Sequence, residues 1–143
     1  MEDYLGHLEK SGKSLIIYNG GKIIFESGSQ GIRPHIEALE KLGRESLKGS
    51  IILDKIVGRA AALLILYSNA SKVYTLLVSS GAKSLLESHK VGLIFREETP
   101  LIKMKDGVFL CPFERMVQDV SDPEYAYNII TSRLYQIQYP ALS

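Results

Sequence analysis

Two short segments place acidic, basic and thiol side chains at spacings that could support chemistry. Asp54 and Lys55 form a polar pair near the start of the longest apolar run, and Cys111 precedes Pro112 with Glu114 three residues further on. A helix N-terminus increases the thiolate fraction of a nearby cysteine, and a carboxylate beside it could carry a proton. These segments could therefore supply a nucleophile or acid (Cys111), two proton carriers (Asp54 and Glu114) and a holder for an anion (Lys55).

The same spacings also fit helix capping without any chemistry. Asp54 is a good N-cap residue, and Cys111 with Glu114 matches an N-cap position followed by a capping glutamate at the third helical position. The segment at Cys111 contains no histidine that could act as a base. Lys55, for its part, could be an ordinary solvated lysine. Both interpretations stay open at this stage.

A second helix start adds two polar candidates. Ser79-Ser80-Gly81 opens a helical pattern directly after an apolar strand, and Lys83 follows one turn later. We expect the helix starts at Asp54 and Ser80 to converge at one end of the sheet, where unpaired amide hydrogens favour an anionic or carbonyl ligand. Ser80 and Lys83 therefore join Lys55 as candidate ligand-binding residues, although Ser80 also fits a simple cap.

The three histidines receive no functional role from the sequence. His7 and His35 fall in predicted helices with polar surroundings, so we expect both to be exposed. His89 falls at the end of a helix, where a cation is favourable. None stands at a spacing that would join Cys111 in a metal site, so we predict no metal ligand and no cofactor.

The elements needed to position these residues follow from periodicity and from turn residues. The run from Ile51 to Tyr67 is too long for one strand, so we interpret it as a central helix that begins at Asp54 and is covered on most sides. The other predicted elements are a helix over 2–10, strands over 14–18 and 22–26 joined by Asn19-Gly20-Gly21, a helix over 34–43, a strand over 72–78, a helix from 79–81, a strand over 91–95, a run over 101–104 turned back at Asp106-Gly107 into 108–110, a helix from Pro112 and a last helix over 122–136. This order predicts an α/β three-layer sandwich whose mixed sheet combines a hairpin with parallel strands.

The composition limits the expected number of domains, the expected partners and the expected location of the protein. A chain of 143 residues with 45% apolar content fits one domain over 1–143. A formal charge of +1 without a long run of one sign does not indicate a nucleic-acid surface, and no apolar run is long enough for a membrane span. A single cysteine excludes an intramolecular disulfide, and no leader opens the chain, so we expect a cytoplasmic protein. A homo-oligomer is compatible with all of these observations.

The predicted order of elements is similar to the cytidine deaminase-like fold over roughly residues 2–120. In that family the central helix opens with a His or Cys and a catalytic Glu, and the next helix opens with Pro-Cys-x-x-Cys, which together hold zinc. Here the two places are taken by Asp54-Lys55-Ile56 and by Ser79-Ser80-Gly81-Ala82-Lys83. The chain resembles most an uncharacterised prokaryotic family grouped with the deaminases by fold, in which Asp-Lys and Cys-Pro-x-Glu replace the zinc motif.

The resemblance implies a location for a site and leaves the chemistry open. Our first hypothesis is a small-molecule enzyme that works without zinc on a nucleotide-like or other anionic substrate. The alternative is a non-catalytic module that binds such a ligand, in which Lys55 would dominate. A third hypothesis is an interaction domain that uses the tyrosines of the C-terminal helix and tail as its contact surface.

Overall fold

A computed structural model describes residues 3–102 and 112–138 of the chain. Along the chain the elements are α1 (Tyr4–Ser11), β1 (Leu15–Asn19), β2 (Lys22–Ser27), α2 (Arg33–Leu47), β3 (Ile51–Val57), α3 (Arg59–Tyr67), β4 (Lys72–Ser79), α4 (Ser80–Ser88), β5 (Gly92–Thr99), α5 (Pro112–Met116) and α6 (Pro123–Gln138). The turn predicted at Asp106-Gly107, the strand predicted over 108–110 and the second half of the run predicted over 101–104 lie outside the described residues.

The strands form one mixed sheet in the order β2-β1-β3-β4-β5. β1 pairs antiparallel with both β2 and β3, whereas β3, β4 and β5 run parallel. Gly20 and Gly21 have φ values of 61° and 78° in the turn between β1 and β2, so the predicted hairpin at Asn19-Gly20-Gly21 is confirmed. The predicted α/β class with a hairpin and parallel strands is likewise confirmed.

Helices cover the two faces of the sheet unequally. On one face, Leu8 of α1 packs against Ile16 and Leu53 in a small buried cluster. Neighbouring strand residues Ile17 and Ile52 point the other way, into the main core that α2, α3, α4 and α6 build. The residues of α3 from Ala60 to Leu66 are all buried. The prediction of a central helix covered on most sides is thus confirmed.

The predicted start of that helix is wrong. Asp54 lies within β3, and the helix begins at Arg59 after the N-cap residue Gly58. The apolar residues of β3 and the buried residues of α3 follow each other along the chain with only short polar interruptions, so the two elements form one nearly continuous apolar run. Periodicity cannot divide such a run, because neither element leaves a polar face to mark its period.

The observed bounds of two further helices, α2 and α6, differ from the predicted ones. The predicted end of α2 at Gly43 corresponds to a kink, where φ is 80° and ψ is 161°, and helical structure then resumes to Leu47. α6 extends from Pro123 to Gln138 and buries Ala126, Ile130 and Leu134. Among the described residues, no helix combines the length and apolarity that crossing a membrane would require.

Candidate functional site

A cavity of about 370 Å³ opens where β3 extends beyond its neighbour β1. Leu15, the first residue of β1, pairs with Asp54, and the next contact is the Lys55 amide donating to the Ser14 carbonyl at 3.1 Å. Beyond this point the β3 edge that faced β1 borders the loop before α2. We call this space the Asp54 cavity; its lining residues are Ser14, Gln30, Gly31, Ile32, Asp54, Lys55, Ile56, Gly58, Ala61, Ile102 and Glu114.

Asp54 is held in the cavity wall by a histidine from α2. Its Oδ2 atom lies 2.6 Å from Nε2 of His35, and only 9% of the Asp54 side chain and 3% of the His35 side chain are exposed. The second oxygen, Oδ1, accepts a long contact of 3.4 Å from the Ile56 amide. The expectation that His35 is exposed is therefore wrong, because the imidazole packs inward against the carboxyl group.

Lys55 is fixed through its backbone at the edge of the cavity. Its amide donates to Ser14, and its carbonyl accepts from the Thr75 hydroxyl at 3.2 Å. The residue is half-buried and is among those that line the Asp54 cavity. Within residues 3–102 and 112–138, no carboxylate lies within ion-pair distance of it. The cavity lining thus includes one lysine, next in sequence to a carboxylate that is already paired.

Glu114 belongs to α5 and lines the cavity at the N-terminus of α3. Its carboxylate accepts from the Arg59 amide at 2.9 Å and from the Ala60 amide at 3.4 Å, so it caps the N-terminus of α3. Burial raises the pKa of Glu114 above its ordinary value, and the two amide hydrogen bonds and the Arg59 charge oppose this rise. Glu114 therefore serves as a cap from a distant element, where the sequence suggested a cap for its own helix.

Gly58 leaves open the space that the Glu114 carboxylate occupies. A Cβ atom at Gly58 would lie 1.7 Å from Oε1 of Glu114 and 2.9 Å from Cγ1 of Ile102. The backbone there is extended, with φ −96° and ψ −173°, so any residue could adopt its conformation. Space for Glu114, and not backbone conformation, is what requires glycine at this position.

The other candidate residues lie elsewhere. The Ser80 hydroxyl donates to Oε2 of Glu98 at 2.6 Å, and the Lys83 ammonium lies 3.4 Å from Oε1 of the same carboxylate. The hydrogen bond from Ser80, followed by Lys83, lowers the pKa of Glu98, although burial opposes this effect. Neither Ser80 nor Lys83 lines the Asp54 cavity. Cys111 lies outside the described residues.

Sequence reasoning missed three residues that build this region: His35, Gly58 and Arg59. The Arg59 side chain donates from Nε to the carbonyls of Val117 and Val120, at 2.9 and 3.0 Å, and so fixes the segment after α5. The sequence signal for Arg59 and Gly58 was their position at the polar interruption of the apolar run. No local pattern distinguishes His35 from an exposed helical histidine, since its partner is 19 residues away.

A larger cleft of about 450 Å³ lies at the opposite end of α3. Arg44, His89 and Glu124, all exposed, contribute to its lining. We favour the smaller Asp54 cavity as the functional site, since it contains a buried carboxylate, and carboxylates are rarely buried without a specific reason. Among the described residues, no group of three or more His, Cys, Asp or Glu side chains is arranged to hold a metal ion.

Comparisons with known proteins relate the chain to one protein family. A family model described as "Domain of unknown function (DUF1893)" matches residues 4–134. The chain is 33% identical to a DUF1893 family protein from Thermotoga maritima whose crystal structure has been solved; the match covers 90% of this chain and 86% of that one, with a TM-score of 0.82. No curated protein matches the chain.

Proposed function

The chain belongs to the DUF1893 family, and on that premise we propose that it is a small-molecule enzyme acting on an anionic, nucleotide-like substrate held in the Asp54 cavity. One observation supports this proposal above all: Asp54 is 7% exposed and nevertheless borders a space large enough for a small molecule. A carboxylate removed from water in a cleft is characteristic of sites that bind or transfer protons. Lys55 also lines the cavity, and its ammonium group would attract the negative charge of a substrate.

The side chains suggest a division of roles. We assign Asp54 as the proton carrier and Lys55 as the holder of the anionic group. Ile32, Ile56 and Ile102 give the cavity apolar walls for the body of the substrate. Glu114 is a second candidate proton carrier, because burial raises its pKa. Cys111 remains a proposed nucleophile or acid that follows from the sequence alone.

The finer fold assignment also belongs to this proposal. The observed order is helix, hairpin and helix, followed by alternating strands and helices, which supports a cytidine deaminase-like scaffold. With the central helix beginning at Arg59, the place of the first zinc motif is taken by Gly58-Arg59-Ala60, which again offers no His or Cys. The proposed reaction is therefore independent of zinc, and a cytoplasmic setting and a homo-oligomer stay predictions.

Isothermal titration of purified protein with nucleosides, nucleotides and small carboxylic acids tests the proposal. We expect a phosphorylated or carboxylated compound to bind and Lys55→Ala to weaken its binding by about tenfold or more, the value of one charged hydrogen bond. Lys13→Ala, which removes a lysine outside the cavity lining, serves as the control. Equal binding by Lys55→Ala and the wild type would exclude the Asp54 cavity as the anion site.

The alternative function is a non-catalytic module that binds the same class of ligand. The half-buried Lys55, whose ammonium group makes no ion pair among the described residues, favours it, since a recognition site needs a cation and no proton carrier. Asp54→Asn distinguishes the two functions once a ligand is known. In an enzyme this variant loses turnover of the bound compound, as followed by mass spectrometry of the reaction mixture, while a binding module leaves the compound unchanged with either protein.

A further inference from the structure

His35 is a buried group that neither proposed role uses. The side chain comes from the first turn of α2 and places Nε2 at 2.6 Å from Oδ2 of Asp54. Both groups are more than nine-tenths buried. A purely structural pair of this kind is expected to be enclosed by protein on all sides, yet Asp54 is part of a cavity wall. This location makes the pair part of the site.

The two oxygens of Asp54 are unequally satisfied. Oδ2 is covered by the imidazole, and the contact described for Oδ1 is the 3.4 Å approach of the Ile56 amide, which is long for a hydrogen bond. A buried carboxylate oxygen with unused acceptor capacity loses hydration without compensation. A ligand group that donates a hydrogen bond to Oδ1 would supply that compensation.

We propose that His35 is a positioning residue that fixes the Asp54 carboxyl group with Oδ1 toward the cavity, so that the site selects ligands carrying an N–H or O–H donor. The inference rests on the proposed function of the cavity and narrows its substrate class. The preferred ligand joins three parts: a donor for Asp54, an apolar body for the isoleucine walls, and an anionic group for Lys55. A ligand that lacks the donor leaves Oδ1 with only its long contact to the Ile56 amide.

Two small probe molecules that differ in the hydrogen-bond donor test its contribution to binding. 4-Aminobenzoate carries a donor, a ring and a carboxylate, while 4-methylbenzoate replaces the amine with a methyl group of similar size. Titration of each into ¹⁵N-labelled protein, followed through the amide resonances of Asp54 and Lys55, should show 4-aminobenzoate binding about tenfold or more tightly. The affinity for 4-methylbenzoate serves as the internal reference, because it needs only the ring and the carboxylate.

Paired variants then test His35 itself. In His35→Gln the amide nitrogen can take the place of Nε2, so the preference for the amine should survive. In His35→Asn the shorter amide falls short of Oδ2, and the preference should fall to about one while 4-methylbenzoate binds as before. Thermal unfolding establishes that each variant is folded, and His35→Leu, which removes the donor altogether, repeats the test should His35→Asn not fold.

The outcomes separate the two proposals. If neither benzoate shifts the resonances at millimolar concentration, the small-molecule function of the Asp54 cavity is contradicted, and the role of His35 with it. If both benzoates bind the wild type equally, or if the preference survives in His35→Asn and His35→Leu, only the positioning role is overturned and the cavity stands as a binding site.

Discussion

At the scale of single residues, Asp54 and His35 combine deep burial with a polar contact that spans two elements. The pair joins α2 to β3 in a region otherwise filled with aliphatic side chains. Removal of one member leaves the other buried without its partner, and that penalty exceeds the net gain from an average hydrogen bond. The pair should therefore be visible in stability measurements as well as in binding.

We predict strong coupling between these two residues in a double-mutant cycle. His35→Leu and Asp54→Ala should each lower the free energy of unfolding by about 1–3 kcal/mol. The double variant should lose less than the sum, with a coupling of about 0.5–3 kcal/mol. Urea unfolding measures all four proteins. The exposed pair of Glu37 and Lys41, whose charged atoms are 3.9 Å apart, is the control and should show much weaker coupling. Additive losses at His35 and Asp54 would contradict this prediction.

Glu114 should make stability depend on pH in the opposite sense to a salt-bridged carboxylate. Because burial raises its pKa above the ordinary 4.5, the folded protein holds the Glu114 proton more tightly than the unfolded chain does. This contribution to stability is complete below the unfolded pKa and is lost as pH rises through the folded pKa. The free energy of unfolding of the wild type relative to Glu114→Gln should thus decrease as pH rises from about 4.5 upward, as urea unfolding at several pH values would show. A difference that is flat, or that increases with pH, would be incompatible with a raised pKa.

At the scale of elements, α3 depends on a neighbour for its N-terminal cap. Its own N-cap residue is Gly58, which has no side chain to offer, and the carboxylate of Glu114 from α5 takes over that task. The close approach works because Gly58 leaves room for Oε1. Substitutions at Gly58 and at Glu114 should therefore have non-additive effects on stability.

We predict that Gly58→Ala destabilises the protein by displacing Glu114. The added methyl group would meet the end of a flexible side chain, so the expected cost is that of a lost cap, about 1–2 kcal/mol. In a Glu114→Ala background the same change should cost much less, since the cap is already absent. Gly81→Ala, at a helical position with open space around it, should be neutral or slightly stabilising. Chemical unfolding of these variants measures each cost; equal costs for Gly58→Ala in both backgrounds would refute the coupling.

The same elements show how far sequence reasoning reaches. The hairpin at Asn19-Gly20-Gly21 was predictable, because the positive φ values that its turn requires are a local property of those residues. The boundary between β3 and α3 was not, because strand and helix are both buried and merge into one apolar run. Local spacing thus predicted Asp54 as a helix cap, whereas the tertiary structure gives the capping role to Glu114.

For the candidate site, too, the sequence predicted some features and missed others. Asp54, Lys55 and Glu114, which the sequence singled out by type and spacing, border a shared cavity. Ser80 and Lys83 pair with Glu98, a contact that depends on the parallel registration of β4 and β5. The burial of His35 required knowledge of which strand passes the start of α2. Chemical type was therefore predictable for several residues, and their partners were not.

At the scale of the whole molecule, Arg59 connects the C-terminal segments to the central helix. Its guanidinium donates to the carbonyls of Val117 and Val120 and, from Nη2 at 3.1 Å, to the Ser121 hydroxyl, so one side chain fixes the connection between α5 and α6. α6 then packs along α3 through Ala126 and Ile130. Because Glu114 lies on α5, this connection also holds one wall of the Asp54 cavity.

Replacement of Arg59 should consequently loosen the C-terminal helices before it loosens the sheet. Lysine at position 59 keeps the charge but cannot reproduce the fork that contacts two carbonyls, so Arg59→Lys should cost about 1–3 kcal/mol. Hydrogen exchange followed by mass spectrometry should show faster exchange in α5 and α6, with β3 and β4 protected as in the wild type. Arg96→Lys is the matched control, since the ion pair of Arg96 with Glu9 is exposed and should matter little. Uniformly faster exchange across sheet and helices in Arg59→Lys would mean that the C-terminal segments unfold only together with the rest of the molecule, and the connection at Arg59 would then have no separate role in holding the cavity wall.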